Sequence, residues 1–196
     1  MIGDGNEITL RVLAISGSLR KNSYNTGLLH SAAALLPPGM RLEFYNLSPL
    51  PMLNQDEEKP FPGVVEEFRG KIAQADALLI ATPEYNASIT GVLKNALDWA
   101  SRPPAGPLSG KPVAIMGAST GNFGTLRAQL HLRQILTHVG AFTLPKPEVL
   151  VARAGQVFAP DGELIDEVAR GFLRDLLVAL ADWTQRVSTP HAIEMR

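Results

Sequence analysis

Ten consecutive residues, Ser16-Gly17-Ser18-Leu19-Arg20-Lys21-Asn22-Ser23-Tyr24-Asn25, crowd hydroxyls, amides and two cations into the step between an apolar run and a helix. A phosphate group asks for aligned N–H and O–H donors in a positive field. A turn feeding a helix N-terminus supplies both, because the first helical N–H groups have no internal partner and the macrodipole is positive there. The segment is neither G-x-x-x-x-G-K-[ST] nor G-x-G-x-x-G, which disfavours the ATP cradle and the dinucleotide fingerprint. Two readings remain at this point. One is a loop that holds a nucleotide or flavin phosphate with side-chain hydroxyls; the other is an ordinary polar turn in which Asn25 only caps the next helix.

Two further segments have the same character. Pro83-Glu84-Tyr85-Asn86-Ala87-Ser88-Ile89-Thr90-Gly91 begins with a residue of fixed φ and contains an Asn that tolerates a costly one, so its peptides can be held in a set orientation. A planar heterocycle such as isoalloxazine needs edge-on hydrogen bonds from such peptides and an apolar surface against its face, which Tyr85 and Asn86 have the chemistry to give. Ala118-Ser119-Thr120-Gly121-Asn122-Phe123-Gly124-Thr125 adds short hydroxyl donors and two glycines that permit close backbone approach.

These segments must be positioned by the elements around them. Strand-like runs fall at residues 11–15, 41–45, 77–82, 112–117 and 148–151, and amphipathic stretches at 25–36, 64–75, 91–101, 124–139 and 162 to about 187. Ala77-Leu78-Leu79-Ile80-Ala81 and Val113-Ala114-Ile115-Met116 are apolar without alternation, as in strands buried on both faces. Alternating strands and helices predict an α/β three-layer sandwich of flavodoxin-like form, with a five-stranded parallel sheet in the order 2-1-3-4-5. Ligands of such sheets sit beyond the carboxyl ends of the strands at the switch point between strands 1 and 3. The three polar segments follow strands 1, 3 and 4, so all of them belong to that crevice.

Composition narrows the classes. A chain of 196 residues, 45% hydrophobic, has material for one good-sized core and is read as a single domain over 1–196. A net charge of -1 offers no basic field for nucleic acid, and no run reaches the length of a membrane span. Met1-Ile2-Gly3-Asp4-Gly5-Asn6-Glu7 carries acidic residues where a secretory signal is basic, and the cytoplasm is the expected compartment. Cysteine is absent, which excludes thiol catalysis, disulfide redox chemistry and thiolate metal sites; electron transfer would need a bound cofactor.

Gly17-Ser18-Leu19-Arg20 with Ser23 and Asn25, and Pro83-Glu84-Tyr85-Asn86 running into Leu93-Lys94-Asn95-Ala96-Leu97-Asp98-Trp99, resemble the signature of the NADPH-dependent FMN reductases. Arg127-Ala128-Gln129-Leu130-His131-Leu132-Arg133-Gln134 is similar to the helix after that family's third loop, so the resemblance covers the chain from about Leu10 to Val151. It implies a flavodoxin-like fold and FMN as cofactor. It implies that Ser18, Arg20, Ser23 and Asn25 hold the FMN phosphate. It further implies that Pro83, Glu84, Tyr85 and Asn86 border the isoalloxazine, with Ser119 and Gly121 completing the cradle. NADPH or NADH would pass hydride to the flavin, and a small-molecule acceptor would then enter the same space: a quinone, a free flavin, an azo dye or a metal oxyanion. Such chemistry needs no protein acid or base, so no catalytic residue is expected. The alternative on the same fold is an electron carrier without NAD(P)H reductase activity, against which the near-neutral charge argues.

The family commonly forms dimers or tetramers, and Arg127 and Glu148 are charged residues suited to pair across a subunit interface. Leu130 stands where several relatives carry an aromatic residue. The Pro-rich segment 47–62 is expected to border the flavin pocket, and Pro103-Pro104-Ala105-Gly106-Pro107 to be a stiff connection within one sheet. His30, His131, His138 and His191 have no ligand spacing, so no metal is expected. Trp99 is read as core or interface, and Lys94 with Asp98 as a helical ion pair.

Overall fold

A computed structural model of the chain describes residues 10–104 and 106–188; the acidic N-terminus, Ala105 and His191 lie outside them. Six strands run parallel: β1 Leu10–Ser16, β2 Met40–Tyr45, β3 Ala77–Ala81, β4 Pro112–Ala118, β5 Phe142–Thr143 and β6 Val149–Val151. The order is β2-β1-β3-β4-β5, with β6 also beside β4. β3 and β4 are buried along their whole length, as their unbroken apolar sequences require.

Helices cover both faces. On one lie α1 Tyr24–Ala33, the short α5 Ala154–Val157 and α6 Glu167–Ser188; on the other lie α2 Gly63–Gln74, α3 Gly91–Ser101 and α4 Leu126–His138. The inward residues alternate along each strand. Leu13 and Ile15 join Phe68, Leu93 and Trp99 on the second face, while Val12 and Ala14 join Leu28, Leu173 and Leu177 on the first. Each fully buried Leu or Phe contributes about 1.5–3 kcal/mol of transfer free energy, so these two layers hold the sheet between them. Among the described residues no helix is long and apolar enough to cross a membrane.

The expected sheet order is present, with one correction. The single fifth strand expected at 148–151 is two short pieces: Phe142 and Thr143 pair with the start of β4, and Val149–Val151 with its end. Pro145 and Pro147 lie between them, and proline has no N–H to donate to a ladder, so pairing cannot run through. The last helix likewise begins at Glu167 rather than at Gly162. Gly162 has φ +93 and Phe158 bridges Leu164, so the preceding segment is a tight hairpin, and Asp166 accepts the Ala169 N–H as helix α6 starts.

Trp99 is fully buried, and its Nε1–H donates to Pro51 O; Asn95 donates to the same oxygen and accepts from Leu53 N–H. The Pro-rich segment 47–62 is thereby pinned along α3. Lys94 and Asp98 form the expected i,i+4 pair at 2.6 Å.

Candidate active site: three loops tied to one another

The chain reverses its direction of travel across the sheet between β1 and β3, and the loops leaving β1, β3 and β4 meet at that point. Their contacts explain why the sequence places polar residues there. Ser23 caps α1 with extended backbone, its Oγ accepting from Asn25 N–H at 3.2 Å and Thr26 N–H at 3.5 Å. Thr90 caps α3, accepting from Leu93 N–H, and also donates its hydroxyl to Gly17 O at 2.6 Å. That bond joins the third-strand loop to the first.

Asn25 is buried, with 3% of its surface exposed, and its amide makes a reciprocal pair with Ala118: Nδ2 donates to the carbonyl and Oδ1 accepts the N–H, both at 2.9 Å. The reading of Asn25 as a phosphate ligand is corrected accordingly. Its side chain joins the first loop to the fourth-strand loop, and it acts by position.

Glu84 is the third tie. Its carboxylate accepts Arg127 N–H at 3.0 Å, Ala128 N–H at 3.2 Å and Arg127 Nε–H at 2.6 Å, and is also paired to Arg127 Nη2. A carboxylate at the N-terminus of α4 satisfies two orphan N–H groups and sits in the favourable end of the dipole. The Glu84 side chain therefore belongs to α4, and only its backbone can border a ligand. Arg127 lies over the Phe123 ring at 5.0 Å. Glu148 pairs with Lys146 at 2.7 Å, so Arg127 and Glu148, expected to meet across an interface, each have a partner within the chain.

Tyr85 and Ser88 exchange two backbone hydrogen bonds, at 2.9 and 3.0 Å, around Asn86 at φ 50 and Ala87 at φ 62. Two positive φ values in a row define a type I′ turn. The N–H groups of its central residues, Asn86 and Ala87, donate to no acceptor among the described residues. The same holds for the N–H groups of Leu19, Lys21 and Asn22 in the first loop and of Thr120 and Gly121 in the fourth. His131 Nδ1 lies 3.0 Å from Ser88 Oγ and supports the turn from α4. Thr90, Ser88 and His131 went unrecognised as site residues; Thr90 had a visible signal, a hydroxyl residue directly before a helix.

Two glycines fix the spacing of this region. A Cβ on Gly117 would stand 2.0 Å from Thr125 Oγ1, and one on Gly124, at φ +54, would stand 2.6 Å from the Leu150 carbonyl carbon. Gly121 differs: its Cβ would meet nothing nearer than Ser119 Oγ at 4.0 Å, so its backbone faces open space. Pro83 is buried against Gly17, whereas Tyr85, Leu19 and Phe123 are more than half exposed, one at the tip of each loop.

The donor set fits FMN. The first loop offers the half-buried Ser18, the exposed Arg20 and Lys21 and three unpartnered N–H groups, with no acidic side chain between Ser16 and Asn25. That suits a phosphate dianion. The other two loops offer peptide N–H groups and a flat apolar rim, which suit the edge and face of a heterocycle.

Comparison with known proteins agrees. The family model for NADPH-dependent FMN reductase matches residues 10–156. The chain is 52% identical to an NAD(P)H-dependent FMN reductase of Pseudomonas aeruginosa over 91% of its own length and 97% of that protein's. It is 40% identical to a quinone reductase of Escherichia coli K12 over 91% and 97% of the two chains. Among solved structures, the flavoenzyme NAD(P)H:(acceptor) oxidoreductase FerB of Paracoccus denitrificans superposes with a TM-score of 0.84 at 35% identity, covering 91% of this chain and 98% of that one. With the three loops of a flavodoxin-like crevice in place and these matches along most of its length, the chain belongs to the NADPH-dependent FMN reductase family.

Proposed function

We propose that the protein is an FMN-dependent NAD(P)H oxidoreductase that passes reducing equivalents to quinones and other small acceptors by a ping-pong mechanism. The observation that carries this reading is the set of seven backbone N–H groups without acceptors among the described residues, spread over three loops that hold one another in place. FMN, when bound, supplies the ability to take hydride from NAD(P)H and give it to a second substrate.

The chain's own residues supply position and field. Ser18, Arg20 and the N–H groups of Leu19, Lys21 and Asn22 would hold the phosphate, with Ser23 fixing the helix end behind them. The peptides of Pro83 to Asn86 and of Ser119 to Gly121 would border the ring, and their N–H dipoles favour the added negative charge of its reduced form. Hydride chemistry needs no proton donor or base from the protein, so no catalytic side chain is assigned. The exposed Leu19, Tyr85 and Phe123 give the mouth an apolar rim, which suits flat donors and acceptors entering in turn, among them quinones, flavins and azo dyes, with metal oxyanions as further acceptors.

The test is anaerobic mixing of the FMN-loaded protein with NADPH or NADH, following the visible flavin absorbance, and then addition of a quinone. Rapid two-electron bleaching that the quinone reverses is expected, with parallel lines in double-reciprocal plots of the steady state. A protein that keeps its FMN oxidised with both nucleotides is an electron carrier instead.

A further inference from the structure

The turn after β3 is strained and hangs from few supports. Asn86 and Ala87 stand at φ 50 and φ 62, a region costly for an L side chain, which persists where the surroundings enforce it. On one side of the turn Pro83 is buried and Glu84 is bound to the start of α4. On the other side Ile89 is buried in the core and Thr90 is bonded to Gly17. Between these points the backbone groups of Tyr85 and Ser88 bond each other. A single side-chain hydrogen bond joins Tyr85 to Ser88 to the rest of the described chain: Ser88 Oγ stands 3.0 Å from His131 Nδ1.

His131 lies one helical turn beyond Arg127 and Ala128, whose N–H groups hold Glu84. Their helix cannot drift, because Ala128, Leu132 and Leu136 are fully buried on its inner face. The residues flanking the strained tip, Glu84 and Ser88, are therefore both fastened to α4. A hydroxyl can donate or accept, so the Ser88 bond forms with either tautomer of the ring. The imidazole is exposed, and among the described residues it bonds nothing else.

We infer that His131 is a positioning residue for the flavin: through Ser88 it fixes where the turn presents the Asn86 and Ala87 N–H groups, and thereby how strongly the site favours reduced over oxidised cofactor. The inference rests on the FMN reading above, which sets this turn at the edge of the ring. A donor held in place gains more from an acceptor that has taken on negative charge than from a neutral one. Hydrogen bonds weaken steeply with distance and angle, so a turn free to shift loses more of its hold on the reduced form.

The test measures the dissociation constant of oxidised FMN and the midpoint potential of the bound cofactor. Both are taken for the unsubstituted protein, His131→Leu, His131→Asn, Ser88→Ala and the double variant His131→Leu/Ser88→Ala. His131 is exposed and Ser88 half-buried, so these changes leave the core packing untouched. His131→Leu and Ser88→Ala are each expected to weaken reduced FMN about fivefold to tenfold more than oxidised FMN. A tenfold change in that ratio moves a two-electron potential about 30 mV, here to more negative values. The double variant should shift no further than either single one, since the same bond is lost in all three. His131→Asn, which sets an amide where Nδ1 stands, should bring the ratio back to within about twofold of the unsubstituted protein. Equal weakening of both redox forms, with the potential unmoved, overturns the inference and leaves His131 a prop for the turn. Single shifts that add in the double variant overturn it as well, because the two residues then act apart. A protein that binds no FMN overturns the proposed function and this inference together; one that binds FMN with a potential indifferent to all four variants overturns this inference alone.

Discussion

Single residues in the crevice are doing jobs that their types alone conceal. Asn25, Glu84 and Thr90 have the side chains expected of ligands, and each instead bonds a neighbouring loop. Sequence shows that a polar group is present but not where its dipole is aimed, so the polar loop between β1 and α1 was legible and the direction of Asn25 was not. Asn25→Ala leaves the Ala118 N–H and C=O buried without partners and is expected to lower stability by about 2–4 kcal/mol, read from the denaturant midpoint. Glu84→Ala uncovers two α4 N–H groups and the Arg127 guanidinium, for a loss of about 2 kcal/mol; Glu84→Gln, which keeps an acceptor, should recover part of it. Ala87 is a non-glycine residue at φ 62, a conformation that costs about 1–2 kcal/mol for an L side chain. Set against the greater unfolded-state freedom of glycine, Ala87→Gly should raise stability by about 0.5–1 kcal/mol, and a lowered midpoint would show that the Ala87 methyl packs in a way that outweighs the strain.

At the scale of elements, β1, β3, β4 and the helices between them follow from apolar runs and caps, because burial on two faces leaves an unmistakable sequence. At the fifth sheet position the expected strand stands at Val149–Val151, while Phe142–Thr143 went unread because a two-residue strand carries too little pattern to register, and Pro145 and Pro147 keep the two pieces apart through missing donors. The α6 start was misread because an amphipathic period runs back through Leu164 and Ile165, where the hairpin turns instead. β4 ends against Thr125 and Thr82, and Gly117→Ala has no room for its methyl; a loss of about 3 kcal/mol or failure to fold is expected, measured by yield and urea unfolding. Lys111, at the start of β4, donates to the Ala73 and Ala75 carbonyls that end α2. Burial, opposed by Asp76, holds its ammonium below the ordinary lysine value of 10.5. The unfolded chain then binds more protons than the folded one between the lowered value and 10.5, so stability rises with pH across that alkaline window. Lys111→Met should remove that rise, seen as a urea midpoint that no longer climbs across the window in which that of the unsubstituted protein does.

For the molecule as a whole, two apolar layers clamp a parallel sheet and leave its loop edge free to bind. Ligand that binds only the folded form stabilises it by RT ln(1 + [L]/Kd), about 2.7 kcal/mol at a hundredfold excess over Kd. FMN should therefore raise the unfolding midpoint in a concentration-dependent way, and riboflavin, which lacks the phosphate, should do so far less. Equal effects of the two would remove Ser18 and Arg20 from the binding account. The three cross-ties have a consequence for how such an enzyme diversifies. Thr90 to Gly17, Asn25 to Ala118 and Glu84 to α4 carry the architecture, while the side chains of Leu19, Tyr85 and Phe123 are more than half exposed on the loops. Selection can rewrite those three exposed side chains, and with them the rim of the crevice, without trading away the stability of the frame that carries them.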